Sequence, residues 1–225
     1  MDDAAIEAVL FDIDGTLITT GGAGAEAWRR AFDELHGVEV DIRAVTESGM
    51  TDPDVGRTAL RHVLGRDPTT RELSAAMGSY LGYLDDAVIE SQGYRAMPGI
   101  PELLQRLVDD GLLLGLTTGN VEAAAHVKLS RARLNRFFAF GGYGSDSTDR
   151  AELTRKAVER GVLVSGGTLR PEECVAVGDT PRDVAAAHTA GIRVVAVATG
   201  NYPLADLEAA APDWAIASVE SGFPA

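Results

Sequence analysis

The sequence is short of the residues that build disulfide-stapled, zinc-bound or polyanion-binding proteins. Its one cysteine, Cys174, cannot close an internal disulfide, and its place at the head of the apolar run "CVAVGD" fits a small buried thiol in a reducing compartment. His36, His62, His126 and His188 lack the spacing of a zinc motif and read as helix or surface residues. Positive charge is scarce: 20 Lys and Arg stand against 34 Asp and Glu, a formal net charge of -14. That balance excludes a surface made to grip nucleic acid or anionic membrane, but not a small anionic ligand held by a few local cations or a metal. No apolar run is long enough to span a bilayer and the acidic N-terminus lacks the form of a signal peptide, so a cytoplasmic location is expected. There is no repeat and no Gly-Lys-Ser/Thr phosphate loop, and neither "GGAG" (21–24) nor "GGYG" (141–144) is a dinucleotide fingerprint.

What is present is an ordinary globular composition, 45% hydrophobic and 24% charged, in a 225-residue chain able to bury a large core. Short apolar runs alternate with helical patterns: "AVLFD" early, then "LLLGLTT" (112–118), "FFAFGG" (137–142), "CVAVGD" (174–179), "VVAVATG" (194–200) and "WAIAS" (214–218). Runs without polar alternation suit strands covered on both faces, which predicts an α/β fold with a Rossmann-like parallel sheet between helical layers. "IPELLQRLVDDG" and "DVAAAHTAG" read as connecting helices. Residues 19–95 break the rhythm, with helical stretches but no comparable strand, and predict an α-helical insert in a core made of 1–18 and 96–225. Within the insert, which by the resemblance given below is a cap, Trp28, Phe32 and Leu35 form a packing stripe at helical spacing, and "GGAG" is a candidate hinge. "ESGMTDPDV" (47–55) is a candidate loop toward the substrate or a surface turn.

The first apolar run ends in "DIDGT" (12–16), where two carboxylates one residue apart would share a side if the strand persists to Asp14. Such a pair suits a nucleophile beside a proton donor, or two oxygens on a divalent cation, while Gly15 and Thr16 let the chain turn. "VGDTPRD" (177–183) puts Asp179 at a second strand tip and Asp183 at a helix start, where a capping role is expected. Asp12, Asp14, Thr118 and Asp179 all fall at carboxyl ends of strands, where open sheets of this kind gather ligands. Two acidic strand tips in one sheet point to magnesium.

These residues resemble the four ordered motifs of the haloacid dehalogenase superfamily: "DIDGT", a strand ending in Thr118, a basic residue in "TDRAELTRKA", and "GDTPRD" (178–183). The likeness covers nearly all of the expected core and lies toward phosphoglycolate phosphatases, whose helical cap follows the first motif. It implies a magnesium-dependent phosphatase of small phosphate monoesters, with a small phosphorylated metabolite as partner. By the resemblance Asp12 is the nucleophile that becomes an aspartyl phosphate, and Asp14 is the general acid and base. Magnesium is held by Asp12, the backbone carbonyl of Asp14, and Asp179. Thr118 binds the phosphoryl oxygens, Gly119 permits close approach to phosphate, and Asn120 contacts either phosphate or its own turn. The third motif commonly offers a lysine; here Arg150, near the start of an expected helix, is favoured over Lys156 almost two turns on.

Dehalogenase chemistry is argued against by Asp14, which those members do not keep. A phosphonatase would want a cap lysine, and 19–95 contains none. A sugar phosphomutase shares both aspartates, but no Arg-Gly-x-Ser-Arg loop is found in the cap. A non-catalytic phosphate-binding module is the remaining alternative, and the oligomeric state is left open.

Overall fold

The computed structural model describes residues 4–224. The chain opens with β1 (Ala8–Phe11), buried along its whole length, and runs through β2 (Ile18–Thr19) into four helices. These are α1 (Ala23–His36), α2 (Ile42–Val45), α3 (Asp52–Leu64) and α4 (Thr70–Glu90). It returns through β3 (Arg95–Ala96), which pairs antiparallel with β2, Ile18 against Ala96 and Thr19 against Arg95. Strands and helices then alternate: α5 (Ile100–Asp109), β4 (Leu113–Thr118), α6 (Glu122–Ser130), β5 (Phe140–Tyr143) and α7 (Arg150–Val164). The chain ends with β6 (Cys174–Gly178), α8 (Pro181–Ala190), β7 (Arg193–Val197), α9 (Leu204–Ala209) and β8 (Trp214–Ile216).

Six strands form one parallel sheet in the order β5-β4-β1-β6-β7-β8, each drawn from one of the six apolar runs. Alternation along β1 explains the three layers. Val9 and Phe11 pack with Ile100, Leu104 and Leu107 of α5 and Ala125 and Leu129 of α6. Ala8 and Leu10 face the other way, onto Ala157 of α7, Val184 and Ala187 of α8, and Leu207 of α9. Cys174 begins β6 and is buried, its thiol pushed up to about 12 by burial first and then by Glu173. No helix among the described residues is long and apolar enough to cross a membrane.

Helices α1 to α4 build a third apolar cluster, in which Trp28 stacks on Tyr80 with ring centroids 4.3 Å apart and Phe32, Leu60 and Leu84 fill the centre. Val121 and Ala124 near the start of α6 belong to the same cluster, so the helical segment rests directly on the exit of β4.

Four local expectations change. Strand β1 stops at Phe11, so Asp12 and Asp14 do not share a strand face; the chain turns at once, with the N–H of Leu17 and of Ile18 both donating to the Ile13 carbonyl. The "FFAFGG" strand begins at Phe140, because Asn135–Phe137 closes a tight helical turn first. Segment 47–55 is not all loop: Thr51 caps α3 by accepting the Asp54 N–H, and Asp52 to Val55 are its first turn, with Pro53 in the favoured position. Leu35 is 39% exposed and drops out of the packing stripe that Trp28 and Phe32 make.

Candidate active site

The carboxyl ends of β1, β4 and β6 lie side by side, and the loops that leave them line a cleft of about 750 Å³ beneath the helical segment. Asp12 sits one residue past β1, its N–H still donating to Val177 O at 2.9 Å, so the sheet ladder fixes its backbone. Asp179 sits one residue past β6. Between them Gly15 takes φ +87, and a Cβ there would lie 2.4 Å from an Asp179 carboxylate oxygen. Glycine is therefore needed twice over, for the turn and for the approach. Thr16 Oγ1 donates to Asp179 Oδ1 at 3.3 Å, and Thr199 Oγ1 donates to the Gly15 carbonyl at 2.7 Å.

Three carboxylates, Asp12, Asp179 and Asp183, bring oxygens within 4.8 Å of one another, all buried. Asp183 does cap its helix, in a reciprocal arrangement with Thr180, but it also pairs with Arg150. Arg150 is the first residue of α7, and its Nη2 lies 3.7 Å from Asp12 Oδ1. Its Nε is buried and finds no hydrogen-bond partner among the described residues. Burial, with Asp183 next, holds the Asp12 carboxyl well above the usual carboxylate range against the pull of Arg150. Burial, Asp183 and then Asp12 push Asp179 the same way. One guanidinium does not balance three buried anions, and such a set of oxygen donors fits a hard divalent cation.

Thr118 ends β4 fully buried and lines the cleft; its hydroxyl oxygen accepts from Asn120 Nδ2 at 2.8 Å, and the hydroxyl keeps its own hydrogen to donate elsewhere. Gly119 makes room for the helical segment, since a Cβ there would meet the Met50 carbonyl at 2.9 Å and Arg150 Nη1 at 3.1 Å. Asn120 does more than close its own turn: Nδ2 also donates to Asp14 Oδ2 at 2.9 Å. Lys156 lies away from these groups, exposed and paired with Glu159 at 2.7 Å.

Two residues went unnoticed in the sequence. Lys128 of α6 donates to Asp14 Oδ2 at 2.7 Å and to Asn120 Oδ1 at 2.5 Å. Burial lowers the pKa of its ammonium, but Asp14, Asp52 and Asp12 outweigh that and the net shift is upward. The signal for it was available: Lys128 is one of only two lysines in the chain and lies three and four residues after the buried Ala125 and Ala124. The other is Asp52 of α3, which accepts the Val121 N–H at 2.9 Å while its own N–H donates to Gly119 O at 2.8 Å. Its carboxyl rises to about 6, through burial against the pull of Lys128.

The model of the haloacid dehalogenase-like hydrolases matches residues 6–191, a stretch that contains all of the groups described above except Thr199. The chain belongs to that family. Among the relatives of this haloacid dehalogenase-like hydrolase, a phosphoglycolate phosphatase of Synechococcus elongatus is 32% identical, with 93% of this chain and 92% of the relative covered. A glyceraldehyde 3-phosphate phosphatase of Methanopyrus kandleri is 28% identical over 88% of this chain and 86% of its own. In fold, the chain is similar to the crystal structure of CbbY from Rhodobacter sphaeroides in complex with phosphate, with a TM-score of 0.75, 21% identity, and 95% and 94% of the two chains covered.

Proposed function

We propose that this haloacid dehalogenase-like hydrolase is a magnesium-dependent phosphatase of small phosphate monoesters, working in the cytoplasm with residues 19–95 as its cap and 1–18 with 96–225 as its core. The observation that carries this reading is the buried set of Asp12, Asp179 and Asp183 against one arginine, with Asp14 at its mouth. Asp12, the backbone carbonyl of Asp14 and Asp179 would hold the metal, and Asp183 shares the charge of Arg150. A divalent cation bound there would offset phosphoryl charge and orient the ester.

Arg150 and the Thr118 hydroxyl bind the phosphoryl oxygens; the unpartnered Arg150 Nε supports that role. An Asp12 carboxylate oxygen attacks phosphorus, the bond to the alcohol oxygen breaks, and Asp14 gives that oxygen its proton. Asp14 then takes a proton from water as the water oxygen attacks the aspartyl phosphate, and phosphate leaves with Asp12 restored. The helical segment excludes bulk water, and its closeness to the floor favours small alcohols over proteins as leaving groups. The names of the Synechococcus and Methanopyrus relatives support that substrate class.

The test is phosphate release from a panel of small esters, phosphoglycolate and sugar phosphates included, with magnesium, with chelator, and with Asp12→Asn. Metal-dependent release that disappears in Asp12→Asn is expected. Undiminished release by Asp12→Asn would remove the nucleophile assignment, and an isomerised sugar phosphate in place of free phosphate would replace hydrolysis by mutase chemistry.

A further inference from the structure

Lys128 is a buried ammonium for which phosphoryl binding finds no use. Its side chain is 7% exposed, whereas its partner Asp14 is 42% exposed at the mouth of the cleft. Arg150 meets the acidic set from the side of Asp12 and Asp183, so Lys128 forms a second cationic centre whose hydrogen bonds go to Asp14 and Asn120, with Asp52 as its next nearest strong charge. Its backbone is fixed too, because the Tyr94 hydroxyl donates to Lys128 O at 2.6 Å and accepts from Ala132 N–H at 3.2 Å.

Resting on the phosphatase reading, we infer that Lys128 is the positioning residue that holds Asp14 in line with the leaving oxygen. Asp14 lies on a turn outside β1 and more than a third exposed, so nothing in the sheet sets the direction of its side chain. Two donors converge on one of its oxygens, Lys128 Nζ at 2.7 Å and Asn120 Nδ2 at 2.9 Å, whereas among the described residues no donor takes Oδ1, on a side chain that lines the cleft. Lys128 and Asn120 also brace each other, since the amide donates through Nδ2 and accepts the ammonium through Oδ1. The geometry thus defines both which oxygen handles the proton and where it stands.

Asp52 explains how an ammonium can stay buried through such a cycle. Asp14 alternates between acid and base during turnover, and a lysine with Asp14 as sole partner would be left buried and uncompensated at one stage. Asn120 Oδ1 and the field of Asp52 remain. Because Asp52 is anchored to Val121 N–H and Gly119 O, that support is present only when the first turn of α3 is seated on the exit of β4. Leaving-group protonation is thereby tied to docking of the helical segment.

The test compares kcat/KM for p-nitrophenyl phosphate, whose leaving group needs little protonation, with that for the alkyl ester the wild type turns over fastest. For Lys128→Met, an uncharged side chain of similar length, we expect a loss of about 100-fold on the alkyl ester and less than about 5-fold on the aryl ester, the span that a displaced general acid produces. Lys128→Arg keeps the cation with altered reach and should show the same selectivity at smaller size, which carries the test if Lys128→Met does not fold. Equal losses on the two esters, in whichever variant folds, would make Lys128 a merely structural residue and overturn the inference while the phosphatase reading stands. A wild type that releases phosphate from neither ester removes that reading and this one together.

Discussion

Stripping divalent cation from this protein should make its stability fall as pH rises toward and past neutrality, and Asp179→Asn should abolish the response to metal. Oxygens of Asp12, Asp179 and Asp183 lie within 4.8 Å of one another. Two unit charges at that separation repel by about 3 kcal/mol at an effective dielectric of about 20. Arg150 offsets part of this through Asp183 and, at 3.7 Å, through Asp12, but a single cation leaves a surplus of negative charge. Burial and repulsion therefore raise the carboxyls of Asp12 and Asp179 above their unfolded values. Between the ordinary carboxylate range and those raised values the folded state keeps protons that the unfolded chain has released, so stability declines with rising pH across that window. Glu26 and Glu72, held down at about 2 by arginines, contribute the opposite slope, but theirs ends once the pH has passed the ordinary glutamate range, well below neutrality. Divalent cation at a hundred times its dissociation constant adds about 2.7 kcal/mol. For a chain of this size that is a rise in Tm of about 5–10 °C. Calorimetric melting at mildly acidic and neutral pH, with magnesium or chelator, reads all of this. Metal-free Asp179→Asn should melt above metal-free wild type at neutral pH. A metal-free wild type that gains stability between mildly acidic and neutral pH, or an Asp179→Asn protein as responsive to magnesium as the wild type, would refute the reasoning.

Three further results are expected. Arg150→Ala should cut kcat/KM for phosphate esters by about 100-fold or more through loss of phosphoryl binding, while Lys156→Ala stays within about 2-fold; steady-state kinetics showing the reverse order would move the third motif to Lys156. Gly142→Ala should destabilise by several kcal/mol or prevent folding, because a Cβ there would lie 1.8 Å from the Leu153 carbonyl oxygen. Gly78→Ala, on α4 with nothing within 4 Å, should instead stabilise by about 1 kcal/mol in denaturant titration.

The parallel sheet was legible because each of its strands is an unbroken apolar run, and a strand covered on both faces needs no subtler code. Ends of elements were less so. β1 stops at Phe11 because the Ile13 carbonyl is taken by a local turn, which apolar periodicity does not reveal. Strands β2 and β3 went unseen since two residues each leave no pattern to detect. The start of α3 was hidden in a segment rich in Asp, Gly and Pro, though Thr51 followed by Pro53 is a helix-start signal. Within the site, Asp12, Asp14, Thr118 and Asp179 were singled out by their place near strand ends and Arg150 through the resemblance to the third motif, and all five line one cleft. Lys128 and Asp52 were not singled out, because each works across a long sequence gap on a helix face where a charge is ordinarily solvated.

The register of β1 bears on how the chain is made. Its neighbours are β4 and β6, Ala8 pairing with Leu113 on one side and Cys174 on the other. The strand that leads into Asp12 is thus made before the other five strands of its sheet, and both of its neighbours come much later in the chain. At ordinary rates of synthesis its first partner arrives on the order of ten seconds later. Helices α1 to α4 are translated in that interval and hold most of the residues of their own apolar cluster. The bare strand "AVLF" is then the segment a nascent-chain chaperone would have to shield, until β4 seats it and the two aspartates meet their surroundings for the first time.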